Sequence, residues 1–241
     1  MTEKTTTSLK FTSNFDQKKR KISKIKFLIF HYTGMVCEKK AINRLCDQNS
    51  KVSCHYFIKK NGVIIKMLPE SYIAWHAGKS EWLNFKNLNK HSIGIEIQNP
   101  GHQHGYKCFT KKQILSTIKI SKIIINKFKI KNKFILGHSD IAPDRKKDPG
   151  EKFPWFDLRK YNIGIWHNLD KKQLLKLRSK PANIKEQDDF IKLLKKIGYS
   201  VKNKKNSIKA YQRRFRQDKI TGIIDKECLE IIKNIAPYFD N

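Results

Sequence analysis

Two histidines and one aspartate in this chain have the chemistry of a metal site, and one glutamate has the chemistry of a base beside it. His31 and His138 each close a short apolar run, Leu28-Ile29-Phe30-His31 and Phe134-Ile135-Leu136-Gly137-His138. Asp148 follows ten positions later (148 − 138), in a loop bounded by proline and glycine that can fold back. Two imidazoles and a carboxylate, with a fourth position left for water, make up the ligand arrangement of a catalytic zinc, which brings the pKa of its water to about 7. Hydrolysis at such a centre also needs a base for the water and a partner for the developing oxyanion. Glu96, within Ile93-Gly94-Ile95-Glu96-Ile97, and Lys146, two residues before Asp148, offer those functions. Strict alternation turns Glu96 away from Ile95 and Ile97, toward solvent or toward a site. Taken singly, each residue has an ordinary explanation. A histidine at a strand end is more often simply hydrogen-bonded, an aspartate before Pro-Gly is a turn residue, and lysine is abundant throughout.

Something must position these groups. The apolar runs at 26–31 and 134–136 read as strands buried on both faces. Strand ends at the rim of a sheet are where α/β domains place reactive groups. Residues 39–49 read as a short helix, 55–67 as a hairpin around Asn61-Gly62, and 92–98 as a further strand. Thr110, with Gln113 three residues on, opens a helix that runs to about residue 129. Residues 139–160 read as a loop. This mixture predicts an α/β fold, a mixed central sheet flanked by helices, with a small C-terminal three-helix domain. The expected division is a loose basic arm over 1–22, a catalytic domain over 23–172, a linker over 173–186 around Lys180-Pro181, and the helical domain over 187–241. Helices are expected there over about 187–197, 206–217 and 225–234.

Composition bounds the function. Lys plus Arg total 52 against 21 Asp plus Glu, a net charge of +31, which invites a polyanionic partner. The basic residues are spread along the chain, and no finger, helix-turn-helix or aromatic–basic strand motif accompanies them, so no specific nucleic acid is expected. Five cysteines without a CxxC pair read as free thiols. No run approaches the roughly 20 apolar residues of a membrane helix, and no signal peptide is visible. The charge and the lack of a visible export signal leave the cell envelope or the cytoplasm as the expected location, and a monomer is expected.

The segments FLIFHYTG, SCHYFIKKNGVIIKMLPESYIAWHAGKSEW, SIGIEIQNPG and ILGHSDIAPDRKKDPGEKFPW resemble, in order and spacing, the zinc-dependent N-acetylmuramoyl-L-alanine amidases of the second type. The match spans roughly residues 22–160. The resemblance implies a zinc ion held by His31, His138 and Asp148, Glu96 as the catalytic acidic residue, and Lys146 as the lysine that stabilises the transition state. It implies a peptidoglycan or muropeptide substrate, cut between N-acetylmuramic acid (or its anhydro form) and L-alanine, for wall remodelling or recycling. Trp75 and His76, in Trp75-His76-Ala77-Gly78, match the groove wall, and Asn99 is expected to bind the peptide stem. His55 matches a family histidine and reads as structural. The stretch SIKAYQRRFRQDKITGIIDKECLEII resembles a small peptidoglycan-binding domain. The competing expectation is a peptidoglycan-binding protein that does not cut.

Overall fold

Phe27, Leu28, Ile29 and Phe30 are all fully buried, as befits a strand with both faces covered. In the computed structural model, which describes residues 7–240, they belong to β3 (Phe27–Tyr32), near one edge of a six-stranded sheet. The elements before β3 are β1 (Thr7–Leu9) and β2 (Phe15–Asp16). After it come α1 (Glu38–Cys46), β4 (Tyr56–Ile58), β5 (Ile64–Lys66), β6 (Ile73–Ala74), β7 (Glu81–Trp82), β8 (Phe85–Lys86), β9 (Ser92–Ile97) and α2 (Lys111–Phe128). The chain finishes with β10 (Ile135–Gly137), α3 (His138–Ile141), α4 (Trp155–Arg159), α5 (Lys171–Leu177), α6 (Ile184–Lys196), α7 (Lys204–Phe215) and α8 (Lys226–Ile235).

The sheet order is β1-β5-β4-β9-β3-β10. Only β4 and β5 pair antiparallel, through the Asn61-Gly62 turn; β4, β9, β3 and β10 run parallel. Gly62 has φ +86°, and a Cβ there would meet the Lys112 carbonyl at 2.8 Å, so the turn needs glycine. Parallel neighbours end at the same edge. His31 pairs in register with Glu96, and Phe30 pairs with Gly137, so His138 emerges beside His31.

Alternation along the strands sorts the two faces. Leu28, Phe30, Ile93, Ile95 and Ile97 pack with Ile118, Ile120 and Ile124 of α2 and with Phe153 and Trp155. Thr110 and Gln113 form the expected capping box of α2. On the opposite face Phe27, Ile29 and Leu136 share one apolar cluster with Phe190, Leu194, Tyr211, Phe215, Ile231 and Ile232 of α6, α7 and α8. The C-terminal helices are therefore continuous with the core of the sheet. Asp140, buried in α3, is gripped across this seam by the Tyr199 hydroxyl at 2.6 Å and by Arg214 at 3.2 Å. The Arg214 guanidinium also lies 3.5 Å over the Trp155 ring.

Three expectations are corrected. From Thr7 onward the basic arm is not loose, although residues 1–6 lie outside the described part. β1 pairs with β5, Asn14 donates to the carbonyls of Asp47 at 2.7 Å and Val52 at 2.9 Å, and Arg20 donates to that of Ser92 at 2.8 Å. Single polar side chains satisfying buried carbonyls do this work, and they leave no periodic apolar signal. The expected linker is likewise packed: it contains most of α5, with Leu174 buried, and Arg178 forks onto Glu227 at 2.7 and 2.8 Å. The expected loop over 139–160 holds most of α3 and all of α4, each too short to display a 3.6-residue stripe.

All five cysteines are free thiols. No helix among the described residues is long and apolar enough to cross a membrane.

Candidate active site

Side-chain alternation in β3 puts His31 on the face of Phe27 and Ile29, and alternation in β9 puts Ser92, Gly94 and Glu96 on that same face. His138 starts α3 directly after β10. The Asp148 loop is pinned to α3, since the Asp148 carbonyl accepts from Ser139 N–H at 2.8 Å. The three side chains meet. His31 Nδ1 lies 2.9 Å from His138 Nδ1, and each of these nitrogens lies 3.0 Å from Asp148 Oδ2. Ligands about 2.0–2.1 Å from a tetrahedral ion sit roughly 3.3 Å apart, so the observed spacing suits a cation at the centre. The donors agree. His138 Nε2 lies 3.1 Å from the Ala77 carbonyl, to which it donates, and this leaves Nδ1 bare toward His31 and Asp148. Two imidazole lone pairs and a carboxylate converging in a buried space make a set that could hold a metal ion.

Charge balance in the cluster follows from burial. His31 is pushed down to about 4, first by burial and then by His138, against the pull of Asp148. Burial alone would raise Asp148, but His138 and His31 outweigh it and hold the carboxyl well below the usual range. Glu96 goes the other way: burial, reinforced by Asp148 and opposed by Lys146, raises it well above 4.5. Its Oε2 is buried and has no hydrogen-bond partner. Such an orphan costs stability and is free to take a proton.

A cleft of about 580 Å³ opens over this cluster and is lined by Glu96, His138, Lys146 and Asp148, with Trp75, His76, Tyr32, Thr33 and His102 around them. Lys146 is half-buried on the cleft wall and makes no ion pair among the described residues. Trp75 is half-buried there too, with its indole N–H donated to Asp16 at 2.7 Å. Two of the expected substrate-binding residues are held by the protein's own hydrogen bonds. Asn99 does not line the cleft: it is 3% exposed, its amide donates to the Lys107 carbonyl at 2.8 Å, and its Oδ1 accepts from Gly101 N–H at 3.0 Å. It braces its own loop. His76 reaches the cleft, but both its nitrogens are engaged: Nδ1 faces His31 Nε2 at 2.9 Å and Nε2 faces Ser92 Oγ at 3.1 Å.

The sequence reading also missed Arg145. Its guanidinium donates to the Ala77 and Lys79 carbonyls and lies 3.5 Å from His138 Nε2. Its place beside Lys146 was the available signal. Tyr32 and His102 were missed as well. They form a rim chain, Tyr32 hydroxyl to His102 at 2.8 Å and His102 to Glu151 at 3.0 Å.

His55 lies behind the cluster, fully buried. Its Nδ1 accepts from Gly94 N–H at 3.1 Å, and its Nε2 lies 3.0 Å from Arg20. Burial first and Arg20 second push it down to about 3, with Glu70 opposing and Lys66 assisting. The sign of the pH effect follows. The unfolded chain protonates His55 near 6.5 and the folded chain does not, so its contribution is complete above about 6.5 and is lost as pH falls toward about 3. We expect the unfolding free energy from urea titrations to drop across that window, by up to about 1.4 kcal/mol per pH unit for this group, and to drop less steeply in His55→Gln. Identical slopes in the two proteins would remove His55 from the acid response.

Residues 21–151, more than half of the chain, match the family model described as N-acetylmuramoyl-L-alanine amidase. The N-acetylmuramoyl-L-alanine amidase AmiD of Escherichia coli K12 is 33% identical over 234 residues, covering 90% of this chain and 84% of AmiD. The 1,6-anhydro-N-acetylmuramyl-L-alanine amidase AmpD of the same organism is 35% identical over 109 residues, 45% of this chain and 57% of AmpD. Among solved structures, E. coli AmiD in complex with anhydro-N-acetylmuramic acid-L-Ala-D-gamma-Glu-L-Lys superposes with a TM-score of 0.80 at 31% identity, covering 94% of each chain. AmpDh3 of Pseudomonas aeruginosa superposes with a TM-score of 0.76 at 27% identity, over 90% of this chain and 92% of that one. On the strength of these matches, the chain belongs to the N-acetylmuramoyl-L-alanine amidase family.

Proposed function

We propose that this chain hydrolyses the amide between the lactyl carbonyl of N-acetylmuramic acid, in its ordinary or anhydro form, and the L-alanine of the peptide stem, using one zinc ion. The observation that carries this reading is the convergence of His31 Nδ1, His138 Nδ1 and Asp148 Oδ2 within 3.0 Å of one another, in a cleft that Glu96 and Lys146 also line. These three side chains would hold the zinc, which supplies Lewis acidity to the scissile carbonyl and acidifies the attacking water.

The rest of the chemistry falls to the protein. Glu96, its Oε2 unpartnered and its pKa raised, accepts the water's proton and passes it to the leaving alanine nitrogen. Lys146 places a cation on the cleft wall for the oxyanion that develops on the carbonyl. Trp75 offers an aromatic flank to the sugar or stem. A binding protein that does not cut is disfavoured, because all three ligand positions keep donor chemistry and Glu96 keeps a buried Oε2 without a hydrogen-bond partner among the described residues. We further propose that the chain acts as a monomer in the envelope or the cytoplasm, and that residues 187–241 add affinity for polymeric wall.

The test is incubation of the zinc-loaded chain with anhydro-muropeptides and, separately, with intact sacculi, read by mass spectrometry. Peptides with a free N-terminal alanine are expected from one or both. Binding without any such product from either substrate would overturn the amidase reading.

A further inference from the structure

Behind His31 runs a directed chain of hydrogen bonds that the chemistry above does not use. It begins at the Leu88 carbonyl, which has no proton to give, so the 2.6 Å contact with Ser92 Oγ requires that the Ser92 hydroxyl donates to it. Ser92 Oγ then has only lone pairs left for His76 Nε2 at 3.1 Å, so His76 Nε2 carries a proton. With its proton there, neutral His76 presents a bare Nδ1 to His31 Nε2 at 2.9 Å and accepts from it. That fixes the His31 proton on Nε2 and leaves Nδ1, the atom facing His138 and Asp148, as a lone pair. A proton on His76 Nδ1 would reverse the last bond and put the His31 proton on the ligand atom.

The surroundings are built for this chain. Ser92 is fully buried and His76 nearly so. A Cβ on Gly94 would collide with the His76 ring, so glycine in β9 opens the slot in which that imidazole stands. His31 and His76 meet edge to face, their ring centroids 5.0 Å apart. His138 needs no such relay, because the Ala77 carbonyl sets its tautomer directly. Among the described residues no backbone carbonyl is hydrogen-bonded to His31 Nε2; its partner is a side chain that itself can adopt two tautomers, so a third group has to decide.

We infer that His76 and Ser92 are positioning residues that set the tautomer of His31 and so prepare its Nδ1 to take the metal. This inference rests on the zinc-ligand reading, and the experiment separates the two. Histidine-labelled full-length chain, with and without zinc, would be observed by long-range 15N–1H correlation, and zinc affinity would be measured by chelator competition in His76→Leu, His76→Gln and Ser92→Ala. We expect His76 as the Nε2–H tautomer in both states, and His31 as Nε2–H even without zinc. Zinc affinity should weaken by about 10–100-fold in His76→Leu. His76→Gln, whose amide oxygen can still accept from His31, should recover most of it. Ser92→Ala should give mixed tautomers at His76 with the fold intact by circular dichroism. A His76 proton on Nδ1 in the wild-type chain, or wild-type zinc affinity in a folded His76→Leu, would overturn the relay. A wild-type chain that binds no zinc would overturn the ligand reading instead, with the tautomers still deciding the relay.

Discussion

Replacing Glu96 by glutamine is expected to lower kcat by about 10²–10⁴-fold, the usual contribution of a positioned general base, while zinc content and thermal stability stay at wild-type levels or above. The direction on stability follows from the site. Glu96 is half-buried, its pKa is raised well above the usual value by desolvation and by Asp148, and its buried Oε2 has no partner among the described residues. An amide of the same shape removes that electrostatic cost. KM should change little, because the lost interaction is a proton transfer made in the transition state. Steady-state kinetics, metal analysis and a melting curve on one preparation suffice. A Glu96→Gln enzyme with wild-type kcat would take Glu96 out of the reaction and leave its unpartnered Oε2 without an explanation.

Much of this site was legible because the features that build it are periodic. His31 and His138 end apolar runs, and parallel pairing of those runs with β9 delivers them to one edge together with Glu96. Period-two alternation in β9 already placed Ser92, Gly94 and Glu96 on the face away from the isoleucines, so the slot for His76 was in principle readable too. Other features were not legible, because they depend on which backbone carbonyl a polar side chain finds. Asn99 looks like a free amide in sequence, yet both ends are spent on its own loop. His76 looks like a groove residue and does reach the cleft, yet both its ring nitrogens are turned to His31 and Ser92. Arg20 and Asn14 look like members of a solvated basic arm, yet they satisfy buried carbonyls at 2.7–3.0 Å. The docking of α6–α8 escaped for a related reason. Their apolar stripes predict a buried face but not its partner, and the partner proved to be the Phe27, Ile29 and Leu136 face of β3 and β10, the face from which His31 projects. The seam through Asp140, Tyr199 and Arg214 then ties the helical unit to the turn that begins with His138.

Asp148→Asn should abolish near-stoichiometric zinc binding and lower kcat/KM by roughly a thousandfold or more, the equivalent of several kcal/mol of Lewis-acid stabilisation at about 1.4 kcal/mol per tenfold. Asparagine is the informative replacement because the loop does not depend on the carboxylate for its course. The Asp148 backbone carbonyl accepts from Ser139 N–H at 2.8 Å, and that bond survives the substitution. What is lost is the one anionic ligand facing two neutral imidazoles, the charge that opposes a dication most directly. Linkage supplies a second measurement that needs no substrate. Zinc bound only by the folded wild-type chain should stabilise it by about 2.7 kcal/mol at a free concentration of 100 Kd, whereas the melting temperature of Asp148→Asn should not respond to the same zinc. Equal zinc-induced shifts in the two proteins would place the metal elsewhere. A zinc response confined to the wild type, with activity unchanged in the variant, would separate metal binding from catalysis and move the reaction to other groups in the cleft.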